Sequence, residues 1–252
     1  MRISITEVRL FKSCRRAWWL RYHEGLTPVT TAEPLLTGRS YHAKLEDLSR
    51  TRTFDFSDLS KESAMALAYD TYIFSRMPFY EPEKTFEYSL GCPGDVRLIG
   101  RVDGLSEDSI VEHKTTSVEI TDEYEFNLQW DEQLLAYMLG TGKRKAWYTV
   151  CRKPTIRQHK GETDSEFFER MVSWYDIDTE SKIRLLQVTR TDKEIAEFEH
   201  DLTTIANQMQ DPYIYRNPAF CTIYGRRCEY APVCLTYDPD MNYVQFDRRD
   251  AE

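Results

Sequence analysis

The segment Ile99-Gly100-Arg101-Val102-Asp103-Gly104-Leu105-Ser106-Glu107-Asp108-Ser109-Ile110-Val111-Glu112-His113-Lys114-Thr115 sets two strand-like runs on either side of a polar turn. Both runs carry apolar and β-branched residues, and Ser106-Glu107-Asp108 has turn chemistry. An antiparallel hairpin follows. Side chains of a strand alternate between its faces, so Glu112 and Lys114 leave the same face. Asp103 lies on the adjacent strand. Two carboxylates and an amine at the spacing Asp-(x8)-Glu-x-Lys suit a divalent-metal site with a lysine beside it. A hairpin with a polar outer face and a surface salt bridge is the other reading open at this point.

Outward from the hairpin, the pattern turns helical on both sides. Ser4-Ile5-Thr6-Glu7 fits a capping box, and Val8, Phe11, Trp18, Trp19 and Tyr22 recur at helical spacing, which predicts one helix over 5–22. Further helices are expected over 38–50, opened by Gly38, over 60–76, and over 122–139, ended by Gly140. Strands are expected over 85–90, 145–152 and 185–188. Residues 167–175 fit either state. Thr191-Asp192-Lys193-Glu194 opens a helix to Met209, closed by Asp211-Pro212. Helices before and after a central run of strands predict one α/β domain over 1–252, with a polar tail at 237–252.

A chain of 252 residues with 13% aromatics, among them 16 Tyr and 5 Trp, can bury a large core. No apolar run is long enough to span a bilayer. Met1-Arg2-Ile3-Ser4-Ile5-Thr6-Glu7 has no apolar signal core, so a cytoplasmic protein without a membrane partner is expected. The net charge of −9 argues against non-specific coating of nucleic acid. Charge is uneven, however: Arg2, Arg9, Lys12, Arg15, Arg16 and Arg21 face only Glu7 within residues 1–21. An acidic total is compatible with a basic groove.

Three more constellations carry chemistry. In Gly38-Arg39-Ser40-Tyr41-His42-Ala43-Lys44-Leu45-Glu46, His42 and Glu46 share a helix face. His42 is either an extra ligand for a divalent cation or a surface or hydrogen-bonded residue. Gln129, Gln133 and Tyr137 follow at i+4 steps as a polar stripe, either against the hairpin or in solvent. Six cysteines in a cytosolic chain are not expected to form disulfides. Cys92 and Cys151 stand apart and read as small apolar residues. Cys221, Cys228 and Cys234 cluster on a turn-rich segment, with Cys14 the natural fourth thiolate. Four thiolates suit structural zinc or an iron–sulfur cluster; the gaps are wider than common zinc knuckles, which favours the cluster. Free buried thiols are the remaining reading.

Together these pieces resemble the iron–sulfur, RecB-like branch of the PD-(D/E)xK nuclease superfamily, which includes CRISPR-associated adaptation exonucleases, AddB-type nuclease domains and phage exonucleases. The resemblance runs from Ser4 to Cys234. It rests on Cys14, on the G-x3-H-x3-E segment (Gly38, His42, Glu46), on G-x-x-D (Gly100, Asp103), on E-x-K (Glu112, Lys114), on Q-x3-Y (Gln133, Tyr137) and on the three closing cysteines, in that order. Arg15 follows Cys14 where the family often has proline, and the first C-terminal gap is six residues where it is often two.

The resemblance implies a restriction-endonuclease-like core, a central mixed sheet flanked by helices. Residues 1–24 and 211–236 would form a clasp joined by a [4Fe-4S] cluster on Cys14, Cys221, Cys228 and Cys234, with zinc as the alternative. His42, Asp103, Glu112 and the His113 carbonyl would hold Mg²⁺ or Mn²⁺, which would polarise the scissile phosphate. Lys114 would stabilise charge on it, and Gln133 and Tyr137 would brace Lys114. Glu87 would be an outer carboxylate. Arg9, Lys12, Arg15 and Arg16 would line a DNA entrance, and Trp18, Trp19 or Tyr22 would either stack bases or pack the core. The implied activity is a DNA exonuclease acting on single strands or ends, in a prokaryotic or phage-infected cell. Its partners would come from recombination, replication or CRISPR adaptation, since no helicase motif is present. A non-catalytic DNA- or partner-binding module of the same fold is the alternative, against which the intact Asp103, Glu112 and Lys114 argue. A zinc-stabilised interaction protein is a third.

Overall fold

The computed structural model describes residues 1–28, 33–54, 58–211, 213–223, 225–236 and 246–248. In chain order these form β1 (Arg2–Ser4), α1 (Ile5–Ser13), α2 (Arg15–Tyr22), β2 (Leu26–Pro28), α3 (Glu33–Thr51), α4 (Lys61–Tyr72), β3 (Glu81–Ser89), β4 (Arg97–Leu105) and β5 (Ile110–Thr116). There follow α5 (Asp122–Asn127), α6 (Glu132–Thr141), β6 (Lys145–Arg152), α7 (Asp164–Asp176), β7 (Ile183–Thr189) and α8 (Asp192–Met209). The chain closes with β8 (Thr222–Ile223), β9 (Arg226–Arg227), α9 (Ala231–Thr236) and β10 (Phe246–Arg248).

The mixed sheet runs β1-β4-β5-β6-β7, with β3 also paired to β4. β4 and β5 form the expected antiparallel hairpin. Its turn is held by Ser109 N–H donating to Ser106 Oγ at 3.1 Å and Ser106 N–H donating to the Ser109 carbonyl at 2.9 Å. β5 and β6 are parallel, with Glu112 beside Tyr148 and Lys114 beside Val150. Parallel neighbours need a crossover, and α5 and α6 supply it. Gly142, at φ 72°, closes α6 in the left-handed conformation that favours glycine. β7 returns antiparallel to β6. The result is an α/β fold with a central mixed sheet flanked by helices.

By packing, the chain divides into two units. One comprises residues 1–32, 87–99 and 196–252; the other comprises 33–86 and 100–195. The first has a core of Cys14, Ala17, Leu20, Leu26 and Tyr230. The second packs α3, α4 and α7 around Tyr41, Leu45, Met65, Tyr69, Cys151 and Tyr175. Cys151 is buried as expected, whereas Cys92 is only half-buried and lies outside any strand.

Several boundaries differ from expectation. The helix expected over 5–22 is two helices, because Cys14 adopts an extended conformation (φ −160°, ψ 111°) between α1 and α2. The Ser4 cap is present, with Glu7 N–H donating to Ser4 Oγ at 3.2 Å. The helix expected over 122–139 is also broken. Asp131 leaves helical geometry and caps α6 by accepting from Gln133 N–H at 2.9 Å. Gln129 therefore lies in a 3₁₀ turn, outside the helix that carries Gln133 and Tyr137. α3 starts at Glu33, earlier than Gly38, since Pro34 falls in its first turn, where no backbone donor is needed. The ambiguous 167–175 is helical, within α7, which opens on a Thr163–Glu166 capping box. Pro212 and most of the expected tail lie outside the described residues, but Phe246–Arg248 form β10, paired antiparallel with β2. Among the described residues no helix is long and apolar enough to cross a membrane.

Candidate active site

The hairpin opens where its polar residues begin. Gly104 pairs with Val111 and Leu105 with Ile110. One step further, the Asp103 carboxylate takes over as acceptor: His113 N–H donates to Asp103 Oδ2 at 2.8 Å. Asp103 Oδ1 lies 3.2 Å from His42 Nδ1, which α3 brings over the strand. Burial opposes charge on both groups, yet the His42 contact holds the Asp103 carboxyl below its ordinary range, and Asp103 holds His42 above its own.

Glu112 and Lys114 share a face, as their spacing requires, and are ion-paired. Lys114 Nζ also donates to Gln133 Oε1 at 2.7 Å, and Gln133 Nε2 donates to the Tyr137 hydroxyl at 2.7 Å. Glu112 is 2% exposed, and its Oε2 has no hydrogen-bond partner. Burial and the neighbouring Asp103 carboxylate push Glu112 up to about 8, a load that Lys114 relieves only in part. The lysine stays protonated: desolvation opposes its charge, but Glu112 outweighs it. An unsatisfied carboxylate oxygen at such depth costs free energy unless a cation or donor reaches it.

Tyr137 has a backing that the spacing of Q-x3-Y does not disclose. Phe86 packs edge-on against it, centroids 5.8 Å apart at 77°. Phe86 fits because two facing positions are glycine. A Cβ at Gly100 would stand 2.6 Å from the Phe86 ring, and one at Gly140 would stand 2.1 Å from it. Gly104 makes the same allowance for Tyr80, whose ring would lie 2.3 Å from an added Cβ. The His113 side chain is a second unforeseen feature. It is buried, with Nδ1 2.7 Å from Thr149 Oγ1 and Nε2 3.5 Å from the Tyr80 hydroxyl. Burial pushes it down to about 4, so it is a neutral imidazole.

Beside Asp103 opens a cavity of about 600 Å³, lined by His42, Glu46 and Asp103 together with Glu83, Arg101, Arg39, Thr115 and Lys153. Glu83 sits on β3 at a positive φ of 56° and pairs with Arg101 at 2.6 Å. Burial raises its carboxyl, and Asp103 and Glu46 add to the effect. Glu87 pairs with Arg2 at 3.0 Å and Arg97 at 3.3 Å. Positive φ at a glutamate has no sequence signal, so Glu83 was not foreseen. Among the described residues, no three His, Cys, Asp or Glu side chains stand close enough to hold a metal ion in this arrangement. His42 is turned to Asp103 and Lys114 to Glu112.

The four cysteines meet in the other unit. Cys14, Cys221, Cys228 and Cys234 all line one small cavity of about 20 Å³, whose remaining walls are mostly apolar. The break at Cys14 makes this possible, since the extended residue turns a buried thiol inward. Asn217 Nδ2 donates to the Ser13 carbonyl at 2.8 Å, and Arg16 N–H donates to the Tyr215 carbonyl at 3.2 Å, which ties 215–217 to the α1–α2 junction. Burial raises the Cys228 and Cys234 thiols, with Cys14 and Cys221 contributing.

The basic cluster around Cys14 is largely committed to structure. Arg15 donates to Gln208 Oε1 at 2.8 Å and lies over the Phe11 and Tyr215 rings, each 4.8 Å away. Arg16 lies over Trp19 at 5.4 Å. Arg9 and Lys12 are on α1, Lys12 exposed in its last turn. Trp18 is buried and donates to Glu7 at 2.9 Å, which makes it a core residue.

A sequence profile of the PD-(D/E)XK nuclease superfamily matches residues 2–235. No curated protein matches the sequence significantly. Among solved structures, a putative exonuclease from Eubacterium rectale is similar at 12% identity, with 92% of each chain covered and a TM-score of 0.50. An alkaline exonuclease from Laribacter hongkongensis aligns at 13% identity over 83% of this chain and 88% of that one, with a TM-score of 0.39. A phage-related exonuclease from Haemophilus somnus aligns at 15% identity over 72% and 86%, with a TM-score of 0.38.

Proposed function

This chain belongs to the PD-(D/E)XK nuclease superfamily, and on that footing we propose that it is a metal-dependent DNA exonuclease acting on single strands or strand ends. One observation carries the reading. The Lys114 ammonium is fixed between Glu112 and Gln133, beside an Asp103 carboxylate already oriented by His42 and the His113 N–H. A polar surface hairpin has no reason to bury a carboxylate with one oxygen unsatisfied.

That Glu112 oxygen and the adjoining Asp103 suit a hard divalent cation, with His42 and the His113 carbonyl as further ligands. When bound, Mg²⁺ or Mn²⁺ supplies Lewis acidity at the phosphate and an activated water. Lys114 offers its N–H donors to charge developing on the phosphate oxygens. Gln133 holds Lys114 by its carbonyl, and Tyr137 accepts from the Gln133 amide, so the ammonium is positioned before substrate arrives.

The cysteine cavity is read as the site of a structural metal group, a [4Fe-4S] cluster by its spacing, tying residues 1–24 to 211–236 within one nuclease domain. The donor set, four thiols with no carboxylate or imidazole, is of the kind such a group takes, although the thiols as placed do not stand close enough for three of them to hold a metal ion. Its small volume favours a second possibility, a single zinc ion. Brown protein with visible absorption supports the cluster; colourless, anaerobically prepared protein with stoichiometric zinc supports the ion.

The test is degradation of labelled single-stranded, end-blocked and circular DNA with Mg²⁺ or Mn²⁺. Cleavage that requires a metal and a free end is expected. Equal cleavage by wild type and Lys114→Ala would show that the site lies elsewhere. A protein that binds these DNAs with either metal and leaves them intact would be the non-catalytic module. Recombination, replication and CRISPR-adaptation proteins are the candidate partners.

A further inference from the structure

Four planar side chains adjoin one another from the core of the first unit to its surface. Phe11 on α1 is only 4% exposed. The Arg15 guanidinium, at the start of α2, lies over the Phe11 ring and over the Tyr215 ring, 4.8 Å from each centroid. Tyr215 in turn meets Tyr213, with ring centroids 6.1 Å apart and planes 38° from parallel. That separation is within the range of interacting aromatic pairs. Tyr215 is 46% exposed and Tyr213 is 69% exposed. The series therefore begins on a core ring and ends on one whose surface is largely open to solvent.

The backbone of both tyrosines is anchored. Tyr213 N–H donates to Asp211 Oδ1 at 2.8 Å, and the Tyr215 carbonyl accepts from Arg16 N–H at 3.2 Å. Two residues further on, Asn217 Nδ2 donates to the Ser13 carbonyl. The two segments so joined are basic. Residues 9–22 carry five Lys and Arg, residues 213–228 carry three Arg, and neither stretch has an Asp or Glu, in a chain whose net charge is −9. Arg15 contributes its charge within the series itself. Arg16 and Arg216 both favour the charged form of the Cys234 thiol, so both cations lie in the neighbourhood of that cysteine.

We propose that Tyr213 and Tyr215 are a stacking platform for an unpaired base of a single-stranded DNA or of a strand end. This deepens the exonuclease reading, on which the identity of the ligand rests. Base–aromatic stacking holds single strands whatever their sequence, because every base has a π-face, and it works together with cations that attract the backbone. Arg15 over Tyr215 supplies such a cation to the platform. In an intact duplex the faces of each base are covered by its neighbours, so an unpaired base is the one able to dock. An apolar side chain of a partner protein would also cover the Tyr213 ring, but it has no use for the surrounding positive charge, whereas every base is tethered to a phosphate. With the backbone already anchored at Asp211 and Arg16, little freedom of the platform is lost on binding.

The experiment measures binding of a labelled oligothymidylate to the full-length protein by fluorescence anisotropy, without added Mg²⁺ or Mn²⁺, over a series of salt concentrations. Tyr213→Ala is expected to raise Kd about tenfold, the size of one lost base–aromatic stack. The slope of log affinity against log salt should stay that of wild type, because no phosphate contact is removed. Tyr213→Trp should restore affinity. A second ligand, the same strand with abasic sites throughout, separates stacking from a general loss of structure: wild type should prefer the thymidylate over it, and Tyr213→Ala should lose about tenfold of that preference. Wild-type affinity in both Tyr213→Ala and Tyr215→Ala, or an equal loss for the two ligands, would overturn the platform. So would a Tyr213→Ala protein that binds DNA normally and differs from wild type only in self-association. The nuclease reading is judged apart, by cleavage with Mg²⁺ or Mn²⁺. If Lys114→Ala is inactive while Tyr213→Ala binds as wild type, the platform alone falls; if wild type stacks on Tyr213 and cleaves no DNA, the exonuclease reading alone falls.

Discussion

Lys114 Nζ donates to Gln133 Oε1 at 2.7 Å, and Gln133 sits on the first turn of a helix that Asp131 starts. The break at Asp131 therefore determines where the lysine points. Gln133→Ala would free the ammonium to follow Glu112 alone. Loss of such a bracing group costs about 10–100-fold in activity, so kcat should fall by that factor with KM little changed. Steady-state kinetics on single-stranded DNA test it, and an unaltered kcat would remove Gln133 from the site.

Phe86 occupies space that a methyl group at Gly140 would need. Gly140→Ala should cost about 1–3 kcal/mol by overpacking, or roughly 2–4 °C of Tm per kcal/mol at this size. Pairing it with Phe86→Leu should recover part of the loss. A double-mutant cycle on thermal melts reads the coupling, and strictly additive effects would mean that the ring simply moves aside.

The Cys151 thiol is buried against the Tyr175 hydroxyl at 3.4 Å, and burial pushes it up to about 12. It should stay unmodified by alkylating reagents in the folded protein. On the reading of a metal group at the four cysteines, Cys14, Cys221, Cys228 and Cys234 should become reactive together on chelation, with a fall in Tm. Mass spectrometry before and after chelation distinguishes the two classes. Cys14→Ser should lower metal content, and Cys151→Ala should leave it unchanged.

Glu162 accepts two bonds from Arg170, each 2.8 Å, and one from His159 N–H at 2.7 Å. The Arg170 guanidinium is the main reason its carboxyl is held down at about 2. A depressed folded-state pKa stabilises the protein above the ordinary carboxylate range, and that contribution disappears as pH falls through the folded value. Glu162→Gln should lower Tm at neutral pH, with the gap closing between the ordinary carboxylate range and about pH 2. A gap independent of pH would assign the effect to packing.

The hairpin was legible because two signals coincide there, period-two alternation and a turn with its own hydrogen-bonding side chains. The pairing of Glu112 with Lys114 followed from spacing alone. The breaks at Cys14 and Asp131 were hidden for one shared reason. Apolar residues continue at helical spacing across both, while the residue that departs from the helix does so to cap the next one or to aim a thiol. Glu83, Phe86 and Thr149 reach the site through strand pairing and packing between distant segments, which local patterns do not encode. The basic run at Arg15 and Arg16 was legible as clustered charge, whereas its contacts with Gln208, Phe11, Tyr215 and Trp19 come from segments that no local pattern brings together.

Gly100 and Gly104 flank Asp103 on β4, and each gives its side-chain space to an aromatic ring. A mutational scan scored only by activity would therefore report three intolerant positions along this strand, although one alone bears a reactive group. The two kinds of intolerance come apart under a different readout. Asp103→Asn should abolish turnover in a protein that melts normally, whereas Gly104→Val should deplete the folded protein itself. Genetic importance along β4 would then measure crowding as much as chemistry.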